Sequence, residues 1–146
     1  MGDVREILNQ KRSSALRCAQ PNETVLTATQ RMNEYGIGAL LVMDRGHLIG
    51  IFTERDVLRR VVAAELNPDA VLVADVMTTE IACCTPDTPL DDARNTFQQH
   101  RIRHLPVVDD YGEVLGLISI GDLNAYHANH QEVTIRFLNE YLHGRV

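Results

Sequence analysis

The sequence predicts an α/β fold, with helices and strands mixed in the α+β manner. Two β-α-β-β-α repeats, related by a pseudo-twofold axis, pack through their sheets, and a long helix closes the chain. Three observations lead there. The chain repeats itself, each copy carries the same succession of strand, turn and helix signals, and neither copy, at roughly 50 residues, can bury an adequate core alone. At an offset of 65, Cys18, Pro21, Ala28, Ile37, Leu40, Val42 and Asp44 meet Cys83, Pro86, Ala93, Ile102, Leu105, Val107 and Asp109. One residue then enters at a turn, where DRG (44–46) becomes DDYG (109–112). At the new offset of 66, Gly46, Gly50 and Asp56 meet Gly112, Gly116 and Asp122, and Thr53 meets Ser119. Apolar classes agree in between, as in Val25/Leu90, Met32/Phe97, Leu48/Val114, Ile51/Leu117 and Phe52/Ile118.

Residues 1–13 (MGDVREILNQKRS) read as a short helix and polar connector outside the repeat. The first repeat takes 14–66, the second 67–123, and 124–146 form a C-terminal helical extension. Each repeat opens on a short strand, at 16–19 or 81–84, followed by a Pro-containing turn. A helix comes next, with apolar residues at i, i+3 and i+7: Val25, Ala28 and Met32, or Leu90, Ala93 and Phe97. The runs LLVMDRGHLIGIF and LPVVDDYGEVLGLIS then read as β-hairpins. Their strands are almost continuously apolar, so they are expected to be buried on both faces. Thr53 or Ser119 starts a second helix. In the extension, Leu123, Tyr126, His130, Val133 and Phe137 recur at spacings of three and four, joined by Leu138, Tyr141 and Leu142. That stripe fits either a helix laid over its own domain or a subunit contact.

Composition excludes several functions. Hydrophobic residues at 45% and charged residues at 23% describe an ordinary globular chain. Aromatics are only 5% with no Trp, which argues against a stacking platform for single-stranded nucleic acid. The net charge of −6 has the wrong sign for gripping a phosphate backbone. It is uneven: residues 1–66 carry nine basic against eight acidic groups, residues 67–146 five against twelve. No membrane segment is expected, since the longest apolar run (IGALLVM, 37–43) falls far short of the roughly 20 residues a span needs. The N-terminus lacks the apolar core of a signal peptide, and Glu6 stands where myristoylation requires Ser or Thr. Three cysteines without a CxxC form neither a disulfide framework nor a four-ligand zinc set, and suit a reducing cytoplasm. No phosphate-cradling, zinc-protease or nucleophile-elbow motif occurs, and no nucleophile–base pair can be nominated. The chain is therefore expected not to be an enzyme, with no catalytic residue and no obligatory cofactor or metal.

The string RHLPVVDDYGEVLGLISIGDL (103–123), its weaker echo GALLVMDRGHLIGIFTERDVL (38–58) and the intervening DVMT (75–78) resemble a tandem pair of CBS domains, the module named after cystathionine β-synthase. The resemblance covers about residues 7–123, and the end TIRFLNEYLHG is similar to tails of small stand-alone bacterial members. It implies a homodimeric regulatory module whose clefts take an adenosyl ligand: AMP, ADP, ATP, NAD(H) or S-adenosylmethionine.

The residues admit that role and a plainer one. Thr53-x-x-Asp56 and Ser119-x-x-Asp122 each follow an apolar strand and open a helix. A carboxylate there can accept both hydroxyls of a ribose, the Thr or Ser hydroxyl can reach sugar or phosphate, and helix N–H groups suit an anion. The same spacing is close to a capping box that needs no ligand, and the two roles are compatible. In the family, basic residues directly before the LPVVD-like strand often meet phosphate, which implies Arg103 and His104; the first repeat has Gly38 and Ala39 there, so two unequal clefts are expected. Arg55, Arg59 and Arg60 are further cations, or simply solvated and paired ones. Ile81, Ala82, Cys83 and Ile102 are the expected adenine surroundings. Cys18 and Cys83 occupy equivalent, half-buried positions and pack as small hydrophobes by default. His127 and His130 lack the companions of a metal site.

The function expected is an adenosyl-ligand sensor that signals to a separate protein, without nucleic-acid or membrane partners. Two alternatives stand beside it: a constitutive homodimeric scaffold with empty clefts, and a thiol-responsive regulator using Cys83 or Cys84.

Overall fold

The computed structural model describes residues 2–11 and 16–130. Its elements run α1 (Val4–Gln10), β1 (Cys18–Ala19), α2 (Val25–Tyr35), β2 (Ala39–Asp44), β3 (His47–Thr53) and α3 (Glu54–Asp56, continued in π-helical winding through Val57–Val62). The second half has α4 (Val73–Val76), α5 (Leu90–His100), β4 (His104–Val108), β5 (Val114–Ser119) and α6, helical over residues 120–130.

In the first sheet β1 runs parallel to β2, β3 is antiparallel to β2, and Ile51 of β3 bridges to Thr78 beyond it. The second sheet repeats the β4–β5 hairpin, with a bulge after Val107 where the first has one after Val42. The expected strand at 81–84 is reduced to one bridge, Cys84 with Val107. Pro106 supplies the reason. Its counterpart Leu41 donates its N–H to the Arg17 carbonyl at 3.0 Å, and a proline has none to give, so the parallel ladder loses a rung.

The turn insertion has an equally local cause. Asp44 pairs with His47 across Arg45 and Gly46, both at positive φ (51° and 80°), the two-residue type I′ turn. In the second hairpin the additional residue gives Asp110-Tyr111-Gly112, with Gly112 at φ 80°. There the Asp109 carboxylate accepts the N–H groups of Tyr111 and Glu113, both at 2.9 Å.

Two apolar cores result, one per repeat. The first holds Ala19, Val25, Ala28, Met32, Leu40, Val42, Phe52 and Val61, the second Cys84, Leu90, Ala93, Phe97, Leu105, Val107, Ile118, Leu123 and Tyr126. Each is completed by a segment from elsewhere in the chain: Val73 and Val76 of α4 enter the first, and Val4 and Ile7 of α1 enter the second. The docking bonds correspond one for one. Val73 N donates to Glu23 O and Ala74 N to Pro21 O; Val4 N donates to Thr88 O and Arg5 N to Pro86 O. Residues 2–8, which the sequence leaves outside the repeat, thus pack as the counterpart of 71–77. The leader of each repeat docks on the other repeat.

Gly50 and Gly116 make room for this crossing. A Cβ on Gly50 would stand 3.1 Å from the Thr78 carbonyl oxygen and 2.5 Å from Met77 Sδ, and a Cβ on Gly116 would stand 2.8 Å from Leu8 Cδ2. Of the C-terminal stripe, Leu123 and Tyr126 are buried in the second core, and the Tyr126 hydroxyl donates to Glu6 of α1. Val133, Phe137, Leu138, Tyr141 and Leu142 lie outside the described residues.

Candidate functional site

Thr53 and Ser119 end their strands in extended conformation and open helices α3 and α6, so each presents a hydroxyl to the first helical turn. Both motifs close as capping boxes. Asp56 N donates to Thr53 Oγ1 at 3.3 Å while Thr53 N donates to Asp56 Oδ2 at 2.9 Å. Asp122 N donates to Ser119 Oγ at 3.0 Å and Ser119 N to Asp122 Oδ2 at 2.9 Å.

Beyond the caps the two carboxylates differ. Asp56 is only 5% exposed and its oxygens are taken up: Oδ2 also accepts the Thr53 hydroxyl at 3.2 Å, and Oδ1 accepts the hydroxyl of Thr78, which follows α4 in the leader of the second repeat, at 3.0 Å. The Arg60 guanidinium lies 3.8 Å away. Asp122 keeps 27% of its side chain exposed, and its further partner is the Lys11 ammonium at 2.9 Å, which also donates to the Leu117 carbonyl at 2.7 Å. The second carboxylate is accessible and the first is enclosed.

The seam between repeats runs past the same helix starts. A Cβ on Gly38 would stand 3.3 Å from the Glu54 carboxyl and 3.4 Å from the His104 ring, so the missing side chain lets these groups of opposite repeats approach. Glu54 N donates to Gly38 O, and Ile120 N to Arg103 O, the same bond in each repeat. Burial pushes the half-buried His104 imidazole below its ordinary range; Glu54 and then Asp122 pull it up, while Arg103 and Lys11 push it further down. Arg103 itself is exposed.

Of the other cations, Arg55 crosses the seam to donate to the Arg101 carbonyl at 2.7 Å, and Arg60 donates to the carbonyls of Val76 and Met77. Arg59 faces solvent. Ile81, Ala82 and Ile102 are half-buried, Ala82 and Ile102 packing against the second core. Cys83 is exposed where Cys18 is half-buried. Burial raises all three thiols, Cys84 to about 12, so they are poor nucleophiles and the electrostatics lend a thiol switch no support. Among the described residues no group of three or more metal-binding side chains converges, and no helix is long and apolar enough to cross a membrane.

The structure thus brings Ser119, Asp122 and His104 into one neighbourhood, with Thr53 and Asp56 at the equivalent place in the first repeat. Sequence reasoning passed over Lys11, Glu54 and Thr78. Thr78 was within reach, as the last residue of the DVMT string. Lys11 carries no local signal, because its partner is 111 residues away.

Comparison with known proteins agrees with this architecture. The family model described as CBS domain matches residues 3–63 and 73–128. The CBS domain-containing protein CBSX3, mitochondrial, of Arabidopsis thaliana is 33% identical over 150 residues, which cover 97% of this chain and 72% of that protein. Some other curated relatives are much longer, and the match spans as little as 18% of one of them. A solved structure of a putative signal-transduction protein with CBS domains from Burkholderia ambifaria is 41% identical, with a TM-score of 0.80 over 83% of this chain and 90% of that one. The CBS domain pair of protein MJ0100, solved in complex with 5′-methylthioadenosine and S-adenosyl-L-methionine, is 25% identical, with a TM-score of 0.75 over 86% of this chain and 98% of that one. Two matched segments, two cores and two capped helix starts give one conclusion: the chain belongs to the CBS-domain family, as a tandem pair.

Proposed function

We propose that this CBS pair is a regulatory module that takes an adenosyl ligand (AMP, ADP, ATP, NAD(H) or S-adenosylmethionine) in the cleft formed by Ser119, Asp122, Arg103 and His104. It acts as a homodimer in the cytoplasm, performs no chemistry of its own, and signals to a separate protein. The observation that carries this reading is the contrast between the carboxylates. Asp122 sits at the open start of α6, held by an exposed ion pair that a ribose can displace at small cost, whereas the oxygens of the buried Asp56 are spent on Thr53 and Thr78. The first cleft therefore takes no ligand, and each chain binds one.

The complex of the MJ0100 pair with methylthioadenosine and S-adenosylmethionine supports the adenosyl class. The adenine would rest against Ile81, Ala82 and Ile102, which are half-buried, and the exposed Cys83. Three free cysteines suit a reducing compartment. The output is a population shift: the ligand touches both repeats at the Gly38–Glu54–His104 seam and favours one arrangement of the halves, by no more than its differential affinity for that arrangement. The scaffold reading retains one observation in its favour, the enclosure of Asp56.

Calorimetric titration with AMP, ATP, NADH and S-adenosylmethionine, with Asp122→Ala run in parallel, tests the proposal. Saturable binding of one molecule per chain, lost in the variant, is expected. Flat heats for all four would reduce Ser119 and Asp122 to a helix cap and leave the scaffold.

A further inference from the structure

Lys11 ends α1, whose apolar side is sunk in the second core, so its ammonium is delivered to the second cleft from the far end of the chain. There it places two of its three N–H donors, on Asp122 Oδ2 and on the Leu117 carbonyl. Among the described residues no such cation stands on the Asp56 carboxylate at hydrogen-bond distance; the Thr78 hydroxyl takes that place, and Arg60 stays at 3.8 Å. Four ionised groups consequently gather around His104: Lys11 and Arg103 against Asp122 and Glu54.

This arrangement sets a condition on any ligand. A ribose whose two hydroxyls take both oxygens of the Asp122 carboxylate must displace the ammonium from Oδ2. An uncharged nucleoside gives the carboxylate its hydroxyls but offers the displaced ammonium no anion in return. A nucleoside 5′-phosphate supplies a new anion, and the four-carbon lysine stem is flexible enough to follow it. We propose that Lys11 is the specificity-determining residue of the Ser119–Asp122 cleft, yielding its carboxylate to the ribose and turning to the ligand's 5′-phosphate, so that the cleft selects phosphorylated adenosyl ligands over unphosphorylated ones. The inference rests on the proposed function and divides its ligand class: AMP, ADP, ATP and NAD(H) fall on the favoured side, methylthioadenosine and S-adenosylmethionine on the other.

The test is calorimetry with adenosine and with AMP on the wild-type chain, Lys11→Gln and Lys11→Arg, with thermal melts to confirm that the variants are folded. Lys11 is partly exposed, so either change is tolerated by the fold. Wild type is expected to prefer AMP by about tenfold or more. In Lys11→Gln the competitor is gone, so adenosine binds about two- to fivefold tighter, the worth of an exposed ion pair. AMP binds weaker by about fivefold or more, and Lys11→Arg retains the preference. Effects of opposite sign on the two ligands are the signature; a merely structural role would move both the same way. Equal affinity for adenosine and AMP in wild type, or parallel shifts in Lys11→Gln, overturns the selection mechanism and leaves the adenosyl cleft standing. Binding of neither molecule, nor of any other adenosyl compound, overturns both.

Discussion

Replacing Ile7 with alanine tests the crossed packing directly. Ile7 is 3% exposed and belongs to the core of the second repeat, although it precedes the first. The change removes three side-chain carbons. At about 0.8 kcal/mol per buried methylene the transfer loss is about 2.4 kcal/mol, and the cavity left behind raises the total to about 3 kcal/mol. Alanine's better helix propensity returns about 0.4 kcal/mol. For a chain of this size the melting temperature should fall by roughly 8–10 °C. Native-state hydrogen exchange then locates the damage: amides of β4 and β5, around Leu105, Val107 and Ile118, lose protection ahead of those in β2 and β3. Val73→Ala, the matching change in α4, should show the reverse pattern. Faster exchange confined to β2 and β3 in Ile7→Ala, or a melting shift under about 3 °C, would refute the crossed assignment.

The glycines that admit the crossing should differ in tolerance. Gly116→Ala meets only the far end of Leu8 and is expected to cost less than about 1 kcal/mol, while Gly50→Ala also meets the Thr78 carbonyl and should cost about 2 kcal/mol or more in urea unfolding. Equal costs would show that the backbone around Thr78 gives way. His104 should impose a pH dependence of definite sign. Its folded value lies below the ordinary 6.5, so under that pH the unfolded chain binds more protons than the folded one. Its contribution is complete above about pH 6.5 and is lost as the pH falls through the folded value, and His104→Gln should remove that part of the slope. Identical slopes in wild type and variant would contradict the burial assigned to the ring.

Much of the fold could be read from the residues because it is locally encoded and stated twice. Val25, Ala28 and Met32 mark the buried side of α2, and Leu90, Ala93 and Phe97 that of α5. The hairpins follow from apolar runs broken at DRG and DDYG, and the strand-to-helix starts from Thr53 and Ser119. The lost parallel strand at 81–84 was legible in principle, since Pro106 lacks the N–H that Leu41 uses. The π-helical winding of VLRRVV (57–62) could not be read from the residues, because the shift to i→i+5 bonding is set by the backbone and no residue type in that run calls for it. The kinship of 2–8 with 71–77 was hidden for a plainer reason: its offset is 69, and of the pairs from Gly2/Val71 to Leu8/Met77 only Val4/Val73 is identical. What relates those segments is where their backbones dock. Lys11 was hidden with them, and so was the difference between the two carboxylates, which depends on which neighbour reaches each one.

The exchanged leaders also impose a schedule on synthesis. The first repeat is complete soon after residues 73–76 exist, a short wait after β3. Helix α1 precedes the whole of its core, and the first backbone groups to receive it, Pro86 and Thr88, are added 81 and 84 residues after the groups they bond, with most of the apolar cover of Val4 and Ile7 following from Leu90 onward. At the usual pace of translation that interval is about 4–17 seconds. Over that time the apolar side of α1 waits far longer for its cover than that of α4 does, and any factor that shields nascent surface would be needed at α1 rather than at α4.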